Sequence, residues 1–160
     1  MKEHSGQAKL DEIDKKILQV MQKDGRITNL QLSNEIGLSP APTLERVRKL
    51  ERSNVIESYH ARLNARKMGY GLKVIIQVSL IRQIDNAMQK FTRKVIEIPE
   101  VIECLQVTGE YDYYLKALVK DIEALDKLVN QKLSTIEEIR QMHSSVILST
   151  VKDSWSIPVQ

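Results

Sequence analysis

The chain is 160 residues long, with 42% apolar residues and a formal net charge of +3 at pH 7, which suits one ordinary domain or two small ones and excludes a disordered chain. Residues 1–67 carry 13 Lys and Arg against 9 Asp and Glu, and residues 68–160 carry 11 against 12, so we expect different partners for the two parts. No apolar run approaches the roughly 20 residues of a membrane helix, and residues 1–10 lack the apolar core of a signal peptide, so we expect a cytoplasmic protein without membrane partners.

Within the positively charged residues 1–67, three segments have apolar residues at helical spacing. They are residues 10–25, 28–37 and 39–54. Each begins at a residue type that favours a helix N-terminus, and these residues are Asp11, Thr28 and Ser39. Gly37 is predicted to end the second helix, and Asn54 is predicted to end the third in the left-handed conformation.

The tight turn between the second and third helices predicts a helix-turn-helix. The following segment VIESYHARLN, residues 55–64, reads as a strand or short hairpin, which indicates a winged version. Within the third helix, Leu44, Val47 and Leu50 form an apolar stripe that is predicted to face the core.

The apolar spacing changes to that of strands after Gly69. Strands are predicted at residues 70–81, 101–109, 112–119 and 143–152, and helices at residues 85–98 and 121–135. The order β-α-β-β-α-β predicts a four-stranded antiparallel sheet with two helices on one face. The fold class is therefore α+β, with an N-terminal winged helix-turn-helix domain followed by a ferredoxin-like βαββαβ domain. The expected boundaries are residues 1–63 for the first domain, 64–72 for the linker and the start of the first sheet strand, 73–153 for the second domain and 154–160 for a tail.

The face of this sheet opposite the helices needs a cover. The residues predicted to lie there are Ile75, Val107, Leu115 and Ile147. They cannot all stay in water, so self-association is expected. The tail contains Trp155, which either anchors the C-terminus on a neighbouring surface or is disordered.

The third predicted helix has the features of a DNA reader. Its face away from the stripe carries Ala41, Pro42, Glu45, Arg48, Lys49 and Arg52, with Thr43 and Arg46 at the edges. The start of such a helix meets base edges, and flanking cations meet phosphates. Because Ala41, Pro42 and Thr43 offer no bidentate fork for a base, direct readout is expected to be thin.

Arg46 is the expected direct reader, together with apolar contact from Ala41 or Thr43 to a thymine methyl. Much of the selectivity is predicted to come from DNA bendability and A·T-rich shape. The cations predicted to supply salt-dependent affinity are Arg46, Arg48, Lys49 and Arg52. The alternative is a solvated helix in which Glu45 pairs with Arg48 and Lys49.

Two stretches resemble a known family. LDEIDKKILQVMQKDGRITNLQLSNEIGLSPAPTLERVRKLE, followed by VIESYHARLN, is similar to the DNA-binding domain of the leucine-responsive regulatory protein and AsnC group, the feast/famine regulators. TGEYDYYLKALVKD resembles that family's second signature, a Gly-x-Tyr/Phe-Asp-Tyr turn in its ligand-responsive domain. The resemblance implies a transcription regulator that binds double-stranded DNA through Ser39 to Arg52, forms dimers, and assembles into octamers of four dimers.

The resemblance also implies a free amino acid as effector, bound between dimers. The family's ligand loop falls on Gly109, Glu110, Tyr111, Asp112 and Tyr113. Ser149 and Thr150 are similar to the segment that faces this loop. Asp112 or Glu110 can accept hydrogen bonds from the ammonium group, and backbone N–H groups near Gly109 can donate to the carboxylate.

The alternative for this loop is a plain hairpin in which Gly109 makes the turn, Asp112 caps it and the tyrosines pack. Strand alternation would place Tyr111 and Tyr113 on one face and Asp112 on the other.

Enzyme and metal chemistry find no support in the sequence. The lone Cys104 is predicted to be a small buried side chain. The three histidines, His4, His60 and His143, have no metal-ligand spacing. The chain lacks the G-x-S-x-G, P-loop and G-x-G-x-x-G motifs. We expect no enzyme, no metal and no cofactor; the remaining alternative is an amino-acid sensor or assembly module whose helical head binds protein.

Overall fold

The structure, a computed structural model, describes residues 8–81, 85–154 and 156–159. The prediction for Trp155 lies outside the described residues. The chain divides into two compact units, residues 1–62 with 152–160, called the head here, and residues 63–151, called the sheet unit. None of the described helices is long and apolar enough to span a membrane.

The head is built on three helices, α1 at Glu12–Met21, α2 at Asn29–Ile36 and α3 at Pro40–Arg52. Asp11 caps α1, because its carboxylate accepts hydrogen bonds from the N–H groups of Ile13 at 3.0 Å and Asp14 at 2.8 Å. Thr28 caps α2 in the same way. Gly37 (φ 74°) and Asn54 (φ 57°) follow α2 and α3 in the left-handed conformation, as predicted. The buried apolar residues of the head are Ile17, Leu18, Leu32, Ile36 and Leu50.

The strand predicted at residues 55–64 is wrong, because this segment forms no strand in the structure. The N–H groups of Val55 and Ile56 instead donate to the Leu50 carbonyl at 2.9 and 3.2 Å. These bonds turn the chain back against the end of α3, and they use donors that a strand would need for a ladder.

The sheet unit has the predicted β-α-β-β-α-β order. Its elements are β1 at Leu72–Leu80, α4 at Ala87–Ile96, β2 at Val101–Gln106, β3 at Tyr113–Val119, α5 at Ile122–Lys127 and β4 at Ile139–Val146. The chain continues from α5 through a π-helical turn and a 3₁₀ turn, which together span residues 128–135. The strands pair antiparallel in the order β2-β3-β1-β4, which confirms the ferredoxin-like layout.

One face of the sheet packs under the helices. Val74, Ile76 and Val78 of β1 are fully buried there, and Phe91 of α4 stacks on Tyr113 of β3 with ring centroids 4.7 Å apart. Leu115 pairs with Ile76 and is also fully buried on this side. The prediction that Leu115 lies on the uncovered face is therefore wrong.

The opposite side of the sheet, called the open face here, carries no helix. It includes Ile75 of β1, Leu105 of β2, Leu118 of β3 and His143 of β4, which alternate with the buried residues of their strands. On the helical side of the sheet, Met88 of α4 and Ile122 of α5 are exposed.

The last strand begins four residues earlier than the predicted residue 143 and ends at Val146. Its register with β1 explains the difference, because Leu80 pairs with Ile139 at one end and Val74 with Val146 at the other. β4 is an edge strand whose sequence IRQMHSSV is mostly polar, so the apolar alternation that marks a strand is weak.

Candidate DNA interface and ligand loop

Two polar contacts fix the start of α3, one to α2 and one within α3 itself. The Asn29 amide donates to the Pro40 carbonyl at 2.8 Å, and the Thr43 hydroxyl donates to the Ser39 carbonyl at 2.9 Å. Ser39 occupies the N-cap position, but its side chain makes no capping bond. Pro40 and Pro42 have no N–H group, so the first turn of α3 has few unsatisfied donors.

The buried side of α3 is rotated relative to the prediction. Thr43, Val47 and Leu50 face the core, with Thr43 and Leu50 almost fully buried. Leu44 is 38% exposed and lies outside the core. The predicted contact of Thr43 with a thymine methyl is therefore wrong, because a buried side chain cannot reach a base. Leu44 is the exposed apolar side chain that sequence reasoning missed.

Arg46 lies in an ion-pair network inside the head. Its Nη1 atom is 2.6 Å from Asp11 Oδ2 and 2.7 Å from Asp14 Oδ1, and the Asp14 carboxylate is fully buried. Lys49 approaches Asp14 Oδ2 at 3.4 Å. The network links the first turn of α1 to the middle of α3, and it engages the same Arg46 side chain that is predicted to contact a base.

Electrostatics within the network favour its charged state. Hydrogen bonds from the Asp14 N–H and from Arg46 hold the pKa of Asp11 below its ordinary value. The hydrogen bonds to Asp11 and Asp14 raise the pKa of Arg46 further above neutrality. Arg46 therefore remains a cation committed to two carboxylates.

The exposed face of α3 retains the other predicted DNA contacts. The exposed residues on it are Ser39, Ala41, Pro42, Arg48, Lys49 and Arg52. Arg48 pairs with Glu45 at 3.0 Å, but both side chains are more than half exposed. Such a surface pair contributes little to stability, so Arg48 can exchange Glu45 for a phosphate at small cost.

A tyrosine in the segment after α3 forms a hydrogen bond back to that helix. The Tyr59 hydroxyl donates to Glu51 Oε1 at 2.9 Å. Partial burial, together with this carboxylate, raises the pKa of Tyr59 to about 12. The phenol therefore stays protonated at neutral pH and keeps the bond to α3.

In the sheet unit, the predicted ligand loop joins β2 to β3 between residues 107 and 112. Gly109 has φ 126°, a conformation that favours glycine. Asp112 Oδ2 accepts a hydrogen bond from the Leu80 N–H at 2.7 Å, at the point where β1 leaves its ladder. Asp112 thus ties the start of β3 to the end of β1.

The tyrosines of the loop have separate roles. Tyr113 is buried against Phe91 and belongs to the core. Tyr111 precedes the strand and does not follow its alternation: its ring lies 6.3 Å from that of Tyr114 and meets His143 edge-on at 5.7 Å. The predicted common face of Tyr111 and Tyr113 is therefore wrong, because the chain turns before β3 begins.

A polar and aromatic row next to the loop was missed by sequence reasoning. Gln77 pairs with Tyr114 on one side and His143 on the other, and the Gln141 amide lies 2.7 Å from His143 Nε2. Strand alternation would have revealed His143 and Gln141 only if the start of β4 had been predicted correctly.

Ser149 and Thr150 do not join the loop within one chain. The loop meets β1 at Val78, whose carbonyl accepts from the Asp112 N–H, whereas Ile147 donates to Lys73 at the other end of β1. Five residues of strand separate these points, roughly 17 Å. Ser149 and Thr150 follow Ile147 and are exposed beyond the end of β4.

Two family models match the chain. Residues 10–57 match a winged helix-turn-helix DNA-binding model, and residues 73–157 match the Lrp/AsnC ligand binding domain. The leucine-responsive regulatory proteins of Escherichia coli and Salmonella typhimurium are each 40% identical to the chain over 145 residues, covering 91% of it and 88% of the relative.

Solved structures show the same architecture. A transcriptional regulator from Neisseria meningitidis, solved as a complex with L-Met, is 37% identical, with a TM-score of 0.91 over 94% of this chain and 97% of the other. An AsnC family transcriptional regulator from Agrobacterium tumefaciens is 30% identical, with a TM-score of 0.87 over 93% and 97%.

A winged helix-turn-helix head followed by a ferredoxin-like ligand-binding unit defines a class of DNA-binding transcription regulators. Within this class, the chain belongs to the Lrp/AsnC family. Its relatives are transcriptional regulators and not enzymes.

Proposed function

We propose that the head reads duplex DNA through the exposed face of α3. Arg48, Lys49 and Arg52 contact phosphates, and Ser39, Ala41, Pro42 and Leu44 lie against the groove. The observation that carries this proposal is the division of cations along α3, in which Arg46 is held by buried Asp14 while Arg48 and Arg52 point into solvent. With no bidentate side chain left at the start of α3, selectivity comes mainly from DNA shape.

The test is the salt dependence of DNA binding by a chain with Arg48→Ala and Arg52→Ala. The logarithm of the affinity falls with the logarithm of the salt concentration. Loss of two phosphate contacts should make this negative slope shallower by roughly 1.8. A variant with Arg93→Ala, an exposed arginine on α4, serves as the matched control. Equal slopes for the double variant and the control would refute the proposed contact surface. Absence of DNA binding by the unmodified chain would favour a head that binds protein.

We also propose that a free amino acid binds at the loop of residues 109–112 and changes assembly or DNA affinity. The Neisseria relative was solved with L-Met, and the loop here presents Gly109, Glu110 and the Tyr111 ring beside His143. A glycine that lets a ligand approach the backbone, an acid and an aromatic cover together suit a zwitterion. The effector acts by binding one assembly state more tightly than another.

Because Ser149 and Thr150 lie at the far end of the sheet within one chain, they reach a loop only in another copy. We therefore propose that the ligand site is completed by self-association through the open face, where Ile75, Leu105 and Leu118 lie. The dimers assemble further, up to the octamer that the family resemblance implies. Because its relatives are bacterial regulatory proteins, we propose that the protein acts in the cytoplasm.

A thermal-shift screen of the common amino acids tests the effector. At least one amino acid should raise the melting temperature of the unmodified chain, by mass action on the folded state. Tyr111→Ala should abolish the shift, and Tyr70→Ala, at an exposed tyrosine of the same unit, should retain it. The effector proposal fails if no amino acid changes the melting temperature or the assembly.

A further inference from the structure

The C-terminal segment, residues 156–159, belongs to the head although it follows the sheet unit in sequence. Gln22, at the end of α1, binds its backbone twice. The Gln22 Nε2 donates to the Ile157 carbonyl at 3.1 Å, and the Ile157 N–H donates to Gln22 Oε1 at 2.6 Å. One amide side chain thus satisfies both backbone groups of one residue, as a neighbouring strand would.

Apolar packing accompanies these hydrogen bonds. The segment lies between α1 and the chain from Val55 to Tyr59. A cavity of about 650 Å³ remains beside it, lined by these elements and Leu10. Val159 packs against the buried cluster of the head. Backbone recognition by Gln22 and apolar contact by Val159 are the two components with which grooves bind extended peptides.

The sequence of the segment reduces the entropy lost on docking. Pro158 has a fixed φ angle and biases Ile157 towards extended conformations before docking. The Ser156 N–H also bonds to the Ser154 hydroxyl at 3.2 Å, so this backbone donor is satisfied just ahead of the docked residues.

An ion pair also joins the second head segment to the first, close to the point where the chain leaves the sheet unit. Arg62, the last residue of the first head segment, pairs with Asp153 of the second segment at 2.5 Å. The chain therefore connects the two units twice, between residues 62 and 63 and between residues 151 and 152.

We propose that the groove between α1 and residues 55–59 is a binding site for an extended apolar peptide, and that its occupant is the C-terminal segment of the same chain. We call this segment the strap. By docking on the head, it holds the C-terminal end of the chain there, so the chain connects the sheet unit to the head a second time. Gln22 is the residue that recognises the strap, because it binds the peptide backbone directly.

Hydrogen exchange of the Ile157 amide in the full chain, observed by NMR with ¹⁵N-isoleucine, tests the docking. The amide should exchange more slowly than in an unstructured peptide, and Gln22→Ala should accelerate its exchange about tenfold. Gln19→Ala, at an exposed glutamine of the same helix, should leave the rate unchanged. Exchange at the unstructured rate in the unmodified chain, or equal rates in the two variants, would overturn the proposal.

Disulfide formation tests which chain supplies the strap. Gln22→Cys with Ile157→Cys, in a Cys104→Ser background, should cross-link under mild oxidation, because the Gln22 side chain reaches the backbone of Ile157 and brings the two positions close together. Gln19→Cys with Ile157→Cys is the control and should remain reduced. A cross-linked product of monomer mass on a denaturing gel supports the strap. A product of dimer mass shows that a second copy supplies the segment, and that product or no cross-link overturns the proposal.

Discussion

The polar Thr43 is buried and the apolar Leu44 is exposed, which is the reverse of what the polarity of their side chains predicts. The Thr43 hydroxyl is satisfied by the Ser39 carbonyl one turn earlier, so its burial leaves no donor unpaired. This local bond allows a polar residue to occupy the core stripe and turns Leu44 outward. Helical spacing identified the helix but not the direction of its buried face, because the predicted and observed faces share Val47 and Leu50 and differ only in whether Leu44 or Thr43 completes them.

Asp14 is the residue on which the orientation of α3 depends. Asp14→Asn removes the charge that Arg46 and Lys49 face, and we expect the free energy of unfolding to fall by about 2 kcal/mol. The loss is below that of a fully buried pair because both cations retain solvent contact. Urea unfolding provides the measurement. Glu45→Gln, at an exposed acid of α3, should change stability by less than about 0.5 kcal/mol; equal losses would contradict the role given to Asp14.

Glu138 makes the stability of the sheet unit pH-dependent. Its carboxylate is buried and accepts a hydrogen bond from Lys94 of α4 at 2.8 Å, and this bond lowers the pKa of Glu138. Because the folded pKa is below the unfolded one, the stabilisation is present above about pH 4.3 and is lost as the pH falls further.

Glu138→Gln should therefore lower stability at neutral pH and flatten its decline in acid. The measurement is the melting temperature as a function of pH. Glu137→Gln, at the exposed neighbouring residue, should follow the unmodified chain. An unchanged acid profile in Glu138→Gln would show that another carboxylate governs this range.

Among the elements, the helices of the head are determined mainly by local signals. Asp11 and Thr28 cap α1 and α2 through bonds to residues within the same turn, so their sequences alone locate these ends. The end strand β4 and the segment of residues 55–64 depend on partners distant in sequence. Their backbone bonds are decided by β1 and by the end of α3, which no local window contains.

The turn between α2 and α3 requires its glycine for conformation alone. Gly37 has φ 74°, and a Cβ atom there would meet nothing within 4 Å. Gly37→Ala should therefore destabilise the head by about 1 kcal/mol through backbone strain. Gly25→Ala, where an added Cβ meets only ordinary contacts at 3.8 Å, should be neutral or slightly stabilising. Thermal unfolding distinguishes the two, and a neutral Gly37→Ala would contradict the strain.

At the scale of the whole molecule, the open face of the sheet is the surface that self-association must cover. Ile75 lies at its centre, between Lys116 and Ser145 on the neighbouring strands. Ile75→Glu should dissociate the assembly, because a carboxylate buried in an apolar interface costs several kcal/mol. Molar mass by light scattering provides the measurement.

The matched control for Ile75→Glu is Ile122→Glu, at an exposed isoleucine of α5 on the helical side of the sheet. It should leave the molar mass unchanged. If Ile75→Glu also keeps the mass of the unmodified chain, the open face is not the interface.

The sequence by itself determined the three helices of the head, the strand and helix order of the sheet unit, and the two signatures that identify the Lrp/AsnC family. These features arise from contacts between residues close in sequence, so spacing and residue type are sufficient to predict them. Only the tertiary structure decided that Arg46 is held by Asp14, that Tyr111 packs beside His143, and that Ile157 returns to Gln22. Each of these contacts joins residues more than 30 positions apart, and its choice of partner depends on the packing of the complete fold.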